Sequence, residues 1–286
     1  MLFGSSVRSG NFYTEGRGPW YDDSGFKKAK DSHKVLSDCI FAVDLARNSQ
    51  AWKYNGVIIN STIAIGGGQI YFVENRTPKV LQDKSRRLSG GKEWMALHLV
   101  SLDAKTGKLV WEKGMQFEQR TPVFFSTYKE DTLILLRSST KSFDLRAIDA
   151  KSGKPIWARE HGWENDNHGA HRRHPVIIGD VVYQQPRAYD LKTGEEKWST
   201  SKVGVGGNCG TLSASSSMLF SRLSSYPGFI DLGQGMNKEN LVEITRPGCW
   251  INIIPVGGMV LVPEAGSGCS CKYSIHASMG FLPKKD

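Results

Sequence analysis

Apolar runs of roughly four to six residues recur along this chain, each closed off by glycine, aspartate or asparagine. Gln69-Ile-Tyr-Phe-Val73, Thr132-Leu-Ile-Leu-Leu136, Asp180-Val-Val-Tyr183 and Met259-Val-Leu-Val262 are typical. Runs this short, rich in β-branched and aromatic residues, are what strands covered on both faces show. The pattern predicts an all-β chain.

A repeat organises the runs. Leu102-Asp103-Ala-Lys-Thr-Gly107-Lys-Leu-Val-Trp111, Ile148-Asp149-Ala-Lys-Ser-Gly153-Lys-Pro-Ile-Trp157 and Tyr189-Asp190-Leu-Lys-Thr-Gly194-Glu-Glu-Lys-Trp198 are copies of one phrase. Weaker copies lie at Asp44 to Trp52 and around Asp231. The aspartates of the strong copies are 46 residues (103 to 149) and then 41 residues (149 to 190) apart. A strand ending in aspartate, a turn through glycine and a strand ending in tryptophan, repeated every roughly 40 to 50 residues, predict a β-propeller of four-stranded antiparallel blades. Trp52, Trp111, Trp157 and Trp198 are expected on outermost strands, packed between successive blades, with Asp103, Asp149 and Asp190 at the turns.

The whole chain, 1–286, reads as one propeller domain. Residues 1–46 supply a partial first blade interrupted by a polar insertion from Asn11 to Leu36, and 47–286 supply about five further blades. The inner strands are expected at Asn60–Ile65, Thr121–Phe125, His174–Ile178, Gly210–Ala214 and Trp250–Ile254, and a last strand at Tyr273–Phe281. Glu74 to about Trp94 reads as a long polar loop, and Gly66-Gly67-Gly68 as a hairpin turn. About five to six blades fall short of a closed ring of seven or eight, so the chain is expected to be truncated on its N-terminal side.

The Asp-Ala-Lys-Thr-Gly-Lys-Leu-Val-Trp phrase resembles the pyrroloquinoline-quinone (PQQ) enzyme repeat. That repeat occurs in quinoprotein dehydrogenases, in the outer-membrane-protein assembly lipoprotein and in large bacterial proteins of no known activity. Arg246-Pro-Gly-Cys249-Trp-Ile-Asn-Ile-Ile-Pro255 and Pro263-Glu-Ala-Gly-Ser-Gly-Cys269-Ser-Cys271 look like PQQ-like propellers of the planctomycete type. The resemblance implies a periplasmic or extracytoplasmic setting. It also frames the cofactor question. Quinoprotein dehydrogenases hold PQQ over a disulfide between adjacent cysteines and bind calcium through glutamate, asparagine and aspartate. This sequence has no Cys-Cys pair and no motif matching the calcium set, and it lacks Cys-x-x-Cys-His for haem. No cofactor is therefore expected.

Composition narrows little. A net charge of +9 would suit a polyanion, but Lys27-Lys28, Lys84 to Arg87, Arg172-Arg173 and Lys284-Lys285 are dispersed, so nucleic acid is not expected as a partner. No apolar run is long enough to span a membrane, and the first residues have no signal-peptide core.

Two clusters carry candidate chemistry. Cys209 and Cys249 precede inner strands of consecutive blades, and Cys269 and Cys271 fall in the connection after the second strand of the last blade. Those connections leave the blades at one end, so the four thiols should gather there. They could form two disulfides, hold a zinc-like metal, or stay unlinked. Cys39, opening an apolar strand, reads as a buried thiol. The second cluster, His168, His171 and His174 with Glu164 and Asp166, enters an inner strand at the same end. Three imidazoles beside carboxylates could ligate a metal or act as a base; as polar loop caps they need do neither. Asn252 and Glu264 could face the channel or serve the core. No nucleophile elbow, phosphate loop or metalloprotease helix is present. The leading expectation is a non-enzymatic scaffold binding a protein or glycan on its loop face. The alternative is a metal- or quinone-dependent oxidoreductase, with PQQ and calcium or a zinc-like metal.

Overall fold

The computed structural model describes residues 1–6, 34–82, 87–88, 96–115, 117, 124–138, 142–162, 174–184, 187–199, 212–223, 225–233, 237–247, 253–264 and 275–283. The chain divides into two compact units, Met1–Asn165 and Asp166–Asp286. Among the described residues the fold is β-strand throughout, apart from one short helix. Among the described residues no helix is long and apolar enough to cross a membrane.

The first unit holds β1 (Leu2–Ser6), β2 (Lys34–Asp44), β3 (Ser49–Gly66), β4 (Gln69–Asn75), α1 (Pro78–Gln82), β5 (Arg87–Leu88), β6 (Leu97–Asp103), β7 (Leu109–Met115), β8 (Phe124–Lys129), β9 (Thr132–Ser138), β10 (Ser142–Asp149) and β11 (Pro155–Gly162). The second holds β12 (Val176–Ile178), β13 (Val181–Gln184), β14 (Arg187–Asp190), β15 (Glu196–Ser199), β16 (Ser213–Ala214), β17 (Met218–Leu223), β18 (Tyr226–Asp231), β19 (Asn237–Asn240), β20 (Ile254–Val256), β21 (Met259–Val262) and β22 (Met279–Phe281). All the strand pairs are antiparallel. The blades β8–β11, β12–β15 and β16–β19 have four strands in sequence order, and the last, β20–β22, has three among the described residues. These are the antiparallel blades of a β-propeller.

The partial first blade and the one after it differ from expectation by being fused. β3 runs unbroken from Ser49 to Gly66, so β1-β2-β3-β4-β6-β7 form one sheet, with β5 added on β2. No turn residue interrupts Val57-Ile-Ile59, and Ile58 and Ile59 pair with β2 on one side and β4 on the other. The bend comes at the register shift between Ile59 and Ala64. There the Thr62 hydroxyl donates to the Ile59 carbonyl at 2.7 Å and accepts the Val73 N–H at 2.8 Å, standing in for the interrupted ladder. The two halves of the sheet face each other across Ile40, Ala42, Trp52, Ile70, Phe72, Val100 and Leu102. The far half packs its other face, Ala64, Tyr71 and Val73, against Phe124, Leu133 and Leu135 of the β8–β11 blade. In the second unit, Tyr183, Ala188, Leu212, Leu219 and Ile230 form one inter-blade core, and Phe220, Ile253 and Val262 another.

The repeat phrase is one docking device. Asp103 Oδ1 accepts the Thr106 N–H and hydroxyl, both at 2.7 Å, and the Lys105 N–H at 3.1 Å. Asp149 and Asp190 do the same with Ser152 and Thr193. The chain then turns through Gly107, Gly153 and Gly194 at φ near +70° (70°, 69°, 67°), and Asn48 takes that place at 47° in the weak first copy. The turns at Gly107 and Gly153 each receive the tryptophan of the preceding copy. Trp52 Nε1 donates to the Ala104 carbonyl at 3.0 Å and Trp111 Nε1 to that of Ala150 at 2.9 Å. A Cβ on Gly107 would stand 2.6 Å from the Trp52 ring, and one on Gly153 2.8 Å from Trp111. Glycine here serves a backbone angle and a close approach together. Trp111, Trp157 and Trp198 lie on the last strand of their blades, as expected.

Smaller differences have local causes. The inner strand expected at Thr121–Phe125 lies at Phe124–Lys129, because its hairpin turns at Glu130 and Asp131, both at positive φ (46° and 61°). The polar loop after Glu74 contains α1, started by Pro78, with the Thr77 N–H capped by Asn75 Oδ1 at 2.8 Å. The final strand is shorter than expected, Met279–Phe281.

Candidate functional site

Inner strands are joined by side-chain hydroxyls rather than by a backbone ladder. Ser61 donates to the Phe124 carbonyl and Ser126 to that of Thr62, both at 2.6 Å, so β3 and β8 are bonded in both directions. In the second unit, the Ser213 hydroxyl donates to the Ile253 carbonyl, between β16 and the residue preceding β20. Serine suits this position: its hydroxyl reaches a neighbouring carbonyl without adding width where strands converge.

In each unit the blades leave two kinds of connection at one end, those entering inner strands and those joining second strands to third. The sequence expects its candidate clusters in such connections. Cys209, Cys249, Cys269 and Cys271, and likewise His168, His171, Glu164, Asp166 and Asn252, lie outside the described residues. His174 is described. It precedes the buried Pro175 at the entry to β12, partly buried itself, and desolvation holds its imidazole below the ordinary histidine pKa. It therefore arrives at this end as a neutral donor–acceptor ring at physiological pH. Glu264 pairs with His276 Nδ1 at 3.2 Å and takes part in an isolated bridge to Pro247. Cys39 is a buried free thiol, as the sequence predicts, 2.9 Å from the Ser6 hydroxyl. Among the described residues, no three His, Cys, Asp or Glu side chains are placed to hold a metal.

A polar network near the same end was not read from the sequence. Glu74, 6% exposed at the end of an apolar strand, accepts the Tyr54 hydroxyl at 2.7 Å and Arg76 at 3.1 and 3.3 Å. Arg76 forks onward to Glu112 at 2.6 and 3.2 Å. Burial, with the Glu74 carboxylate next, pushes Tyr54 up to about 12. A Cβ at Gly56 would come within 2.7 Å of Glu74 Oε1, so the glycine admits the carboxylate. The network ties β3, β4 and β7 together where the chain departs into α1. The only signal in the sequence was a glutamate closing Tyr-Phe-Val, which alternation alone does not separate from a solvent-facing residue. In the next blade Asp144 is gripped similarly, by Arg137 at 2.8 Å and Arg146 at 2.7 Å, and Arg137 also lies 4.3 Å above the Phe117 ring.

Comparison with known proteins fits this geometry. Residues 96–226 match the PQQ_2 family model, described as outer membrane protein assembly factor BamB. No curated protein matches the sequence. BamB from Moraxella catarrhalis is similar in structure, at 17% identity over 80% of this chain and 68% of its own, with a TM-score of 0.49. The exotype rhamnogalacturonan lyase YesX is similar at 14% identity over 85% of this chain and 50% of its own, with a TM-score of 0.50. A europium-containing methanol dehydrogenase is similar at 13% identity over 74% of this chain and 49% of its own, with a TM-score of 0.43. The chain thus spans about half the length of the lyase and of the dehydrogenase. At such identities the likeness is one of fold.

Proposed function

From a chain built of PQQ-type propeller blades, we propose a non-enzymatic, extracytoplasmic scaffold that holds a protein partner at the blade end carrying the strand-entry connections. The observation that carries this reading is the match of residues 96–226 to the BamB family, described as an assembly factor. Physical chemistry supports it. Asp103, Asp149 and Asp190 spend their carboxylates on their own turns, and Trp52 and Trp111 spend their indoles on the next turn. The repeated residues are consumed in building the fold, which leaves recognition to the connections between strands. There the chain carries its least repetitive sequence, Trp163 to His174 and Cys209, Cys249, Cys269 and Cys271 included.

Site-specific photocrosslinking tests the reading. A photoreactive residue at position 171 is expected to give an adduct with one discrete protein, and the same residue at position 105, in a repeat turn, to give none. Equal adducts at both positions would overturn the placement. Turnover would overturn the scaffold reading itself: reduction of an artificial electron acceptor by the purified chain with an alcohol or aldose, dependent on added PQQ and calcium.

A further inference from the structure

Three aromatic rings stand in series inside the first unit, and their hydrogen bonds differ in a way that sorts their redox chemistry. Trp111 on β7 lies 6.1 Å from Tyr71 on β4, centroid to centroid, and Tyr71 stacks on Tyr128 of β8 at 5.6 Å with the ring planes 12° apart. Glycine makes room for the stack: the Tyr128 ring lies 1.9 Å from where a Cβ on Gly66 would stand, and its hydroxyl 2.5 Å from one on Gly67. Each ring meets a different fate when an electron is taken from it. The Trp111 N–H donates to the Ala150 carbonyl at 2.9 Å, and an amide carbonyl is too weak a base to keep an indole proton. Tyr71 is fully buried, and its hydroxyl has no hydrogen-bond partner among the described residues, so its phenol has nowhere to send a proton. Burial, with Tyr128 the next cause, raises its pKa. Of the three rings, Tyr128 has a base beside it. Its hydroxyl donates to Asp131 Oδ1 at 3.2 Å and accepts the Asp131 N–H at 3.1 Å, because the hairpin turns back through Glu130 and Asp131 at positive φ (46° and 61°). Lys151 pairs with the other oxygen, Oδ2, at 2.5 Å and holds that carboxyl below its ordinary pKa.

We propose that Trp111, Tyr71 and Tyr128 form a relay that carries an oxidising equivalent from the outer strand to the turn at Asp131 and holds it there as a phenoxyl radical on Tyr128. A small one-electron oxidant of the carbonate-radical class takes an electron from the partly buried Trp111. Tyr71 returns an electron to the indole and Tyr128 one to Tyr71, while the Tyr128 proton passes to Asp131 Oδ1. The oxidant gains one electron, the carboxylate gains one proton, and Trp111 and Tyr71 are restored. Tyr71 conducts the charge without keeping it, since it cannot shed its proton. At Tyr128 the charge is trapped, because an oxidised phenol is a far stronger acid than a carboxylic acid. A soluble one-electron reductant of the thiol or ascorbate class then returns the electron at this turn, where the Asp131 side chain is 46% exposed, and Asp131 returns the proton. The relay spares the indole docked on Gly153, whose ring lies 2.8 Å from where a Cβ would stand and would lose that seat on oxygenation. Trp52 docks on Gly107 in the same way, but the ring beside it is Phe3 at 6.1 Å, which yields no electron to an indole. The inference stands independently of the scaffold's partner.

Pulse radiolysis of the full chain with the carbonate radical, followed by electron paramagnetic resonance and peptide mapping, tests it. Tryptophanyl absorbance is expected to decay as tyrosyl absorbance grows, more slowly in heavy water, and Tyr128→Phe should remove most of the phenoxyl signal. Tyr71→Phe deletes only a hydroxyl without a partner, so the melting temperature should hold while the transfer slows severalfold. Asp131→Asn keeps a residue that tolerates the positive φ and removes the base, so the phenoxyl yield should fall. Under steady exposure, oxygenated Trp111 should rise severalfold in all three variants, with oxygenated Trp52 unchanged as the internal control. A phenoxyl signal or a Trp111 yield indifferent to Tyr128→Phe overturns the proposal. So does a transfer rate indifferent to Tyr71→Phe, or a rise in Trp52 oxygenation equal to that in Trp111, which would report loosened packing instead of a lost relay.

Discussion

At the scale of single residues, the glycine of the repeat phrase does two jobs that mutation can separate. Gly107 and Gly68 both have positive φ, 70° and 75°. Only Gly107 has a neighbour in the way, the Trp52 ring at 2.6 Å from a Cβ, whereas nothing lies within 4 Å of one on Gly68. Gly68→Ala should therefore cost backbone strain alone, about 1 kcal/mol, and Gly107→Ala strain plus displacement of the docked indole, about 2–4 kcal/mol. Urea unfolding of the two variants measures the difference. Equal losses would mean that the indole docking contributes little.

At the scale of elements, hydroxyls do between inner strands what backbone amides do within a sheet. Ser126 is 5% exposed and bonded to the Thr62 carbonyl, while Ser61 bonds the Phe124 carbonyl in the opposite direction. Ser126→Ala leaves a buried carbonyl without that donor and is expected to lower stability by about 1–2 kcal/mol. Ser61→Ala should cost about the same or less, being less buried. Because both bonds join the same pair of strands, the double variant should lose less than the sum. A Ser126→Ala protein within a few tenths of a kcal/mol of the parent would dismiss the hydroxyls as stabilising links. Strand lengths belong to this scale too. Alternation and turn residues located β4, β6, β9 and β13 closely, since glycine or aspartate bounds each run. They missed that β3 runs on through Asn55 and Gly56, where pairing with β2 and β4 carries the strand past turn-type residues, and that β8 runs to Lys129, up to the turn at Glu130 and Asp131.

At the scale of the whole molecule, the repeated turns add up to an acid sensitivity. Backbone and hydroxyl donors hold the carboxyls of Asp103, Asp149 and Asp190 below their ordinary range. For Asp190 the value falls from 3.8 to about 2, the Thr193 N–H being the largest cause and Lys197 the next. A carboxylate whose pKa is lower in the folded state stabilises above its unfolded value, and loses that contribution as pH falls through the folded value. Thermal stability should thus decline between about pH 4 and pH 2. Asp190→Asn should be less stable than the parent at pH 7 and converge with it near pH 2; parallel curves would refute the turn's charged role. The repeat that makes this sum possible was legible in the sequence, because each copy is a local device of an aspartate capping its own amides, a glycine at positive φ and an indole eight positions on. Those properties travel with the residues and need no partner to be recognised. The polar network of Tyr54, Glu74, Arg76 and Glu112 was not legible, because Tyr54 and Glu112 lie 20 and 36 residues from their partners and only the sheet brings them together. Apolar residues on a strand look the same in the sequence whether a neighbouring blade covers them or not. Local chemistry and periodicity determined the blades and their turns; which faces are buried was decided by how the strands pack in three dimensions.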